Sequence, residues 1–293
     1  MNNSYDCVIV GCGPAGLTAS IYLKRAGKNV LVLEKESVGG QMATSPLIEN
    51  YPGISSISGS DLANNMFEQA MNLGVCFEIE EVLSIKKDQE FIITTDYNTY
   101  LAKTVIVATG AKYRTLNIDN EDKLIGNGIH FCVSCDGAFY KNLVVAVVGG
   151  GNSAIVNAIY LSNICKHVYV IQNLDKLTCE QTLIDKINSI NNVEIMLNSV
   201  VTKVIGNDSL DGIEINNKDK LNIDGMFVSI GMNSQNTFLE NLVNTNDAGF
   251  IINSTTDGLF VAGDCLEKSV KQVTTAVSDG TIAACDVIKY LDK

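Results

Sequence analysis

No run of apolar residues approaches the roughly eighteen that a membrane-spanning helix needs, so nothing in the sequence calls for a membrane role. Positive charge is scarce: 21 Lys and Arg stand against 33 Asp and Glu, a formal charge of −12. Such a chain is repelled by phosphate backbones and anionic lipid, which argues against nucleic-acid and membrane partners. Arginine is present only as Arg25 and Arg114, and histidine only as His130 and His167. A basic leader with a cleavage site is also missing: MNNSYDCVIVGCG enters a strand almost at once, and the expected location is the cytoplasm. Without an export signal, nine cysteines, an odd number, do not suggest a structural disulfide framework.

The length of 293 residues allows two domains, and an apolar fraction of 46% with 24 glycines describes a globular chain with many tight turns. Residues 6–16, DCVIVGCGPAG, form a short β-branched run ending in Gly11, Gly13 and Gly16. A helical stretch follows, then a second apolar run, Val30 to Leu33, closing on Glu34, 23 residues after Gly11. Strand, glycine turn, helix, strand and acid is the order of a dinucleotide-binding unit. The glycines allow close backbone approach, the helix N-terminus attracts a pyrophosphate, and the acid accepts ribose hydroxyls.

The same order returns in VVAVVGGGNSA, with a helix through Leu161 and a strand from Val168 to Ile171. The position 23 residues after Gly149 is Gln172. There NAD would favour an acid and NADP would favour arginines, yet the segment offers Gln172, Asn173, Leu174 and Thr178, with only Lys176 nearby. Glutamine can still bond a ribose hydroxyl, so weak NADH binding stays open. The chain therefore carries two copies of one unit, complete in the first and altered in the second.

Between the copies lies GIHFCVSCDGAFY. Cys132 and Cys135 are the only closely spaced cysteines; a zinc site would need two further ligands, and there is no second CxxC, so a redox dithiol is favoured. A following helix N-terminus is expected to stabilise the Cys135 thiolate. Asp136 either exchanges the thiol proton or only caps that helix. The other cysteines, at 7, 12, 76, 165, 179, 265 and 285, are expected to be small core residues. Near the end, Val273, Val277, Gly280, Ala284, Val287 and Leu291 recur at helical spacing.

Six motifs in order, GCGPAG at 11–16, GGQ at 39–41, IENYPG at 48–53, ATGA at 108–111, CVSCDGAFY at 132–140 and VAGD at 261–264, resemble the low-molecular-weight thioredoxin reductases over nearly the whole chain. The resemblance implies an α/β fold of two Rossmann-like nucleotide-binding domains, the second inserted into the first. Residues 1–115 and 245–293 would bind FAD, and 116–244 would be the NAD(P)-binding-like domain carrying the redox pair. By the same resemblance Gly11, Gly13, Pro14, Ala15 and Gly16 hold the cofactor's pyrophosphate, and Glu34 and Lys35 its adenosine ribose. Gly40, Gln41 and Asn50 lie near the flavin, Val82, Thr109 and Gly110 complete the site, Gly263 and Asp264 meet the ribityl and pyrophosphate, and Lys271, Gln272 and Val273 the flavin ring. Lys271 stands where the family usually has arginine.

The larger departures fall in the inserted domain, where Val156 and Asn157 replace two glutamates and Gln172, Asn173 and Leu174 replace a basic HRR motif. That combination resembles the ferredoxin-dependent flavin thioredoxin reductases. It implies that reduced ferredoxin delivers electrons one at a time to FAD, that NADPH is not bound, and that thioredoxin is the acceptor. Cys135 would face the flavin, Cys132 would attack thioredoxin, and Asp136 would manage the proton. A homodimer is the family expectation. Ferredoxins are commonly acidic, so a local positive patch is required, with Lys112, Arg114 and Lys271 as candidates. The alternatives are an NAD(P)H-dependent thioredoxin reductase with an atypical nucleotide site, a redox-sensing flavoprotein that turns nothing over, and a ferredoxin:NADP oxidoreductase, in which the CxxC pair has no task.

Overall fold

The structure is a computed structural model that describes residues 4–293. The chain divides into two compact units, one built from the residues up to Lys112 and from Asn233 onward, the other from Tyr113 to Met232. The return to the first unit therefore comes earlier than the expected residue 245. The reason is apolar burial between those two points: Leu239 and Val243 are part of the first unit's core, with Val8, Val10, Leu31 and Leu33.

In the first unit the β-branched run Ser4–Val10 is the centre of a seven-stranded sheet. It pairs in parallel with Val30–Glu34 on one side and Thr99–Val107 on the other. Cys76–Ile79 extends the sheet beyond Val30–Glu34, and Leu259–Val261 pairs with Thr99–Val107. Covered on both faces, these central strands read as unbroken apolar runs, and Cys7, Val8 and Ile9 are fully buried. The antiparallel extension differs: Phe91–Thr95 alternates buried and half-buried residues, as a strand with one wetter face does.

The second unit repeats the plan with a five-stranded parallel sheet in the order Val193–Met196, His167–Ile171, Val144–Val148, Gly225–Val228, Ile129–His130. The helix Asn152–Ser162 follows its glycine turn, and an antiparallel three-stranded sheet, Val201–Ile205, Gly212–Ile215 and Asp219–Asn222, lies off the main one. Both expected strand–turn–helix–strand copies are present, and the fold is α/β with two Rossmann-like units. No helix among the described residues is long and apolar enough to cross a membrane.

The C-terminal helix Val273–Leu291 buries Gly280, Ala284 and Val287, three members of the stripe expected from spacing. It approaches the helix Pro14–Arg25 so closely that a Cβ on Gly280 would lie 2.2 Å from the Ala15 carbonyl oxygen. Backbone cannot retreat as a flexible side chain can, so Gly280→Val is expected to cost about 3 kcal/mol by overpacking. Thermal unfolding would register it as a clear fall in midpoint; an unchanged midpoint would show that the two helices can separate freely.

Candidate functional site

The first glycine turn is built by contacts that admit no side chain. Gly11 has φ 109°, and a Cβ there would lie 2.3 Å from the Ala108 carbonyl oxygen; one on Gly16 would lie 2.0 Å from the Gly11 carbonyl oxygen. Gly13 is the opposite case, with nothing within 4 Å of a Cβ position. It precedes the helix Pro14–Arg25, whose N-terminus has Pro14 in its first turn, no side-chain cap and no acid. The first turn's N–H groups are therefore left for an anion.

Around this cradle the structure gathers most of the expected residues. Glu34 accepts the Cys12 N–H at 2.8 Å and the Glu36 N–H at 3.0 Å; a carboxylate has about four lone-pair sites, so capacity remains for sugar hydroxyls. A Cβ on Gly40 would stand 3.7 Å from the Gly13 Cα, and one on Gly263 3.0 Å from the Ala15 Cβ. The Gln41 amide donates to the Ala111 carbonyl, and the Asn50 amide donates to Gln272 Oε1 at 3.4 Å. Thr109 donates its hydroxyl to Asn236 Oδ1 at 2.8 Å, beside Gly110 with φ 65°. Gln272 caps the C-terminal helix through a capping box with Thr275, and Val273 begins it. Asp264 Oδ1 is buried without a hydrogen bond, its nearest charge being Lys268 Nζ at 3.2 Å. An open helix end, a glycine with free space and a buried carboxylate oxygen with no hydrogen bond beyond its ion pair with Lys268 fit a dinucleotide with its pyrophosphate and hydroxyls.

Three expected residues have other neighbours. Lys35 donates to Gln235 Oε1 at 3.1 Å and pairs with Glu81 at 3.7 Å. Val82 is packed in the core with Ile85 and Phe91. Lys271 donates to the carbonyls of Asp264 and Leu266 at 2.6 and 2.9 Å and lies 4.1 Å from the Phe250 ring centroid. Burial pushes its ammonium below the usual lysine range. It braces the 264–266 loop, and Lys112 is ion-paired with Glu36, so these two do not offer the uncompensated positive patch expected of them. Asn236 and Asp279, which accepts the Gly263 N–H at 3.2 Å, were not anticipated, since neither lies in a recognisable motif.

The second glycine turn keeps its backbone form: Gly149 has φ 131°, and a Cβ there would meet the Ser229 carbonyl oxygen at 2.5 Å. At the start of the helix that follows, Asn152 donates its amide to Glu180 Oε1 at 3.3 Å and accepts the Glu180 N–H at 2.9 Å. Gln172, at the place of Glu34, is buried; it packs where a Cβ on Gly150 would go and donates its amide to the Lys176 carbonyl at 3.1 Å. Leu174, in place of a basic residue that a nucleotide phosphate would want, is 46% exposed, and Val156, in place of a glutamate, 51%. Asn157 donates to the Ser229 hydroxyl at 3.0 Å.

Cys132 and Cys135 are joined in a disulfide, both half-buried. The helical turn Val133–Asp136 starts immediately after Cys132, so Cys135 lies inside it and the expected helix-end stabilisation of Cys135 is not found. Nor does Asp136 cap a helix. Its Oδ2 lies 3.4 Å from His130 Nδ1, and neither the turn it ends nor the one that follows receives a side-chain cap.

A model of the pyridine nucleotide-disulphide oxidoreductase family matches residues 5–280. The chain belongs to that family. It is 41% identical to a 34.2 kDa protein in a rubredoxin operon of Clostridium pasteurianum, covering 98% of this chain and 97% of the other. It is 40% identical to thioredoxin reductase of Ureaplasma parvum, over 99% and 97%. Among solved structures, thioredoxin reductase of Streptococcus pyogenes superposes with a TM-score of 0.95 at 37% identity, over 100% and 99% of the chains. The low-molecular-weight thioredoxin reductase branch of the family is thus supported along the entire chain.

Within this family member the remaining cysteines divide by environment. Cys7, Cys12, Cys165 and Cys265 are buried, but Cys76 and Cys285 are exposed, unlike the core residues expected. Burial pushes the Cys7 and Cys12 thiols up to about 12 and Cys265 up to about 11. Only the thiolate reacts, so iodoacetamide at pH 8 is expected to modify Cys76 and Cys285 in the native oxidised protein and to spare Cys7, Cys12 and Cys265. Mass mapping of the peptides checks this; rapid labelling of Cys12 would mean that the glycine turn opens.

Proposed function

We propose that this chain is an FAD-dependent thioredoxin reductase that takes its electrons from reduced ferredoxin. The observation that carries the choice of donor is the asymmetry of the two glycine turns. The first has an acid with spare acceptor sites and an open helix end, while the second is flanked by a buried glutamine and exposed Leu174 and Val156. The disulfide is retained beside the altered turn. Loss of nucleotide anchors alongside intact redox and FAD motifs is the pattern of a chain that has changed its donor and kept its acceptor.

In the first unit Gly11, Gly13 and Gly16 admit the pyrophosphate, Glu34 accepts ribose hydroxyls and Asp264 Oδ1 meets a hydroxyl of the cofactor. FAD, when bound, supplies the link between a one-electron donor and a two-electron disulfide. Cys132 is the sulfur that attacks thioredoxin, Cys135 closes the disulfide again, and Asp136 holds the proton in transit. The driving force suffices without nicotinamide: a donor near about −400 mV and an acceptor near about −270 mV differ by roughly 130 mV, or about 6 kcal/mol for two electrons. The second glycine turn retains its backbone geometry, which keeps NADPH or NADH as the competing donor.

Anaerobic titration of the flavoprotein with NADPH, NADH and reduced ferredoxin separates the two, following flavin absorbance and then thioredoxin thiols. Bleaching by ferredoxin alone, with reduced thioredoxin formed, is expected; stoichiometric bleaching by either nicotinamide would overturn the choice of donor. Cys132→Ser should leave the flavin reducible and bring thioredoxin turnover to background. Turnover surviving in that variant would remove the dithiol from the reaction.

A further inference from the structure

Next to the disulfide the second unit buries three polar side chains against one another. His130 is 6% exposed and Asp136 7%. His130 Nδ1 lies 3.4 Å from Asp136 Oδ2, and His130 Nε2 lies 2.7 Å from the Tyr140 hydroxyl. Phe227 covers the pair, its ring centroid 5.5 Å from both the imidazole and the Tyr140 ring. Room for Tyr140 comes from Gly225, where a Cβ would lie 2.3 Å from the tyrosine ring. The arrangement is a packed chain of Asp, His and Tyr.

The protonation pattern follows from the surroundings. Burial first, and then Asp136 and Asp224, push the Tyr140 phenol up to about 12, so at neutral pH the tyrosine keeps its proton and has it to donate to Nε2. In the tautomer that accepts this proton at Nε2, the imidazole N–H is at Nδ1, on the side of the carboxylate. Asp136 Oδ2 thereby lies 3.4 Å from the ring nitrogen, while Oδ1 is buried with no hydrogen-bond partner. Leaving a buried carboxylate oxygen unsatisfied costs its desolvation, and such exceptions require a reason. Here the residue directly follows Cys135.

We propose that His130, backed by Tyr140, is a positioning residue for the dithiol chemistry: it holds Asp136 through Oδ2 and keeps Oδ1 for the protons that leave Cys132 and Cys135. The role rests on the disulfide-reductase reading above. In the step it serves, the Cys132 thiol gives its proton to Asp136 Oδ1 as its sulfur bonds to one sulfur of the partner disulfide, and the other partner sulfur leaves as thiolate. Cys135 then loses its proton and attacks Cys132, restoring the bond between them and releasing the second partner thiolate. The two protons end on the two released sulfurs, and two electrons pass from the dithiol to the partner. The titratable groups facing the imidazole are Asp136 from the turn Val133–Asp136 and Tyr140 from the turn Gly137–Tyr140. Asp224, ahead of the strand Gly225–Val228, acts on Tyr140, and Phe227 on that strand adds no charge.

The test uses the flavin-loaded protein, pre-reduced with dithionite and freed of excess reductant. Its dithiol is oxidised in a single turnover by dithiobis(nitrobenzoate), whose leaving thiolate needs no proton, so the pH–rate profile reports loss of the cysteine proton to its base. A carboxylate deprived of its donor in a buried site takes up a proton at higher pH, so His130→Phe should move the acid limb upward by about one pH unit and slow the reaction at neutral pH. His130→Gln, whose amide can donate to Oδ2, should recover most of the shift, and Tyr140→Phe should move the limb the same way by less. A His130→Phe profile superimposable on the unaltered protein's, with circular dichroism and flavin content unchanged, would overturn the proposal. If His130→Phe does not fold, a Tyr140→Phe profile identical to the unaltered protein's overturns it instead. The assay needs neither ferredoxin nor thioredoxin. Failure of the reductase reading would appear separately, as absence of thioredoxin turnover in the unaltered protein.

Discussion

Close approach of backbone to backbone at the end of a buried strand is the constraint on which the first unit depends. Gly11 lies against the Ala108 carbonyl and Gly16 against the Gly11 carbonyl, so the strand Ser4–Val10 can turn directly into the helix Pro14–Arg25. That turn sets the helix N-terminus at the edge of the parallel sheet, and the neighbouring strand ends there with Glu34. Gly280 and Gly263 extend the same condition to the C-terminal segment, which reaches the turn only because neither carries a side chain. The shape of the cradle in this unit follows from the packing of glycines before any polar contact is considered.

The second unit applies the same backbone rule to a different end. Gly149 packs against Ser229 as Gly11 packs against Ala108, which preserves the turn as a structural corner. The corner presents a glutamine whose amide is used internally, and apolar side chains facing solvent. A glycine turn is required by the fold itself, whereas the charged groups around it are required only by the ligand.

The disulfide sits in a similar economy of polar groups. Its turn is too short to act through a helix dipole on Cys135, so the local chemistry falls to side chains: Asp136, His130 and Tyr140, drawn together under Phe227. In a low-dielectric setting each hydrogen bond in such a chain matters more than it would at the surface, and an unfilled one matters most.

Much of this was legible in the sequence. β-Branched runs ending in glycine, followed at fixed spacing by helix and acid, specify a Rossmann-like unit because strand, turn and helix N-terminus each demand particular residues locally. The redox pair was legible for the same reason, since two cysteines three residues apart can bond across one turn. Tertiary structure decided the rest. Leu239 and Val243 joined the first core, which moved the boundary between units. Lys271 and Lys112 found partners that no spacing reveals. Cys76 and Cys285 turned outward instead of joining the core. His130, in the sequence only one of two histidines, met Tyr140 ten residues on and the space left by a glycine at 225. Local sequence determines what each segment can form by itself; which side chains share a buried space depends on contacts between segments far apart in the chain.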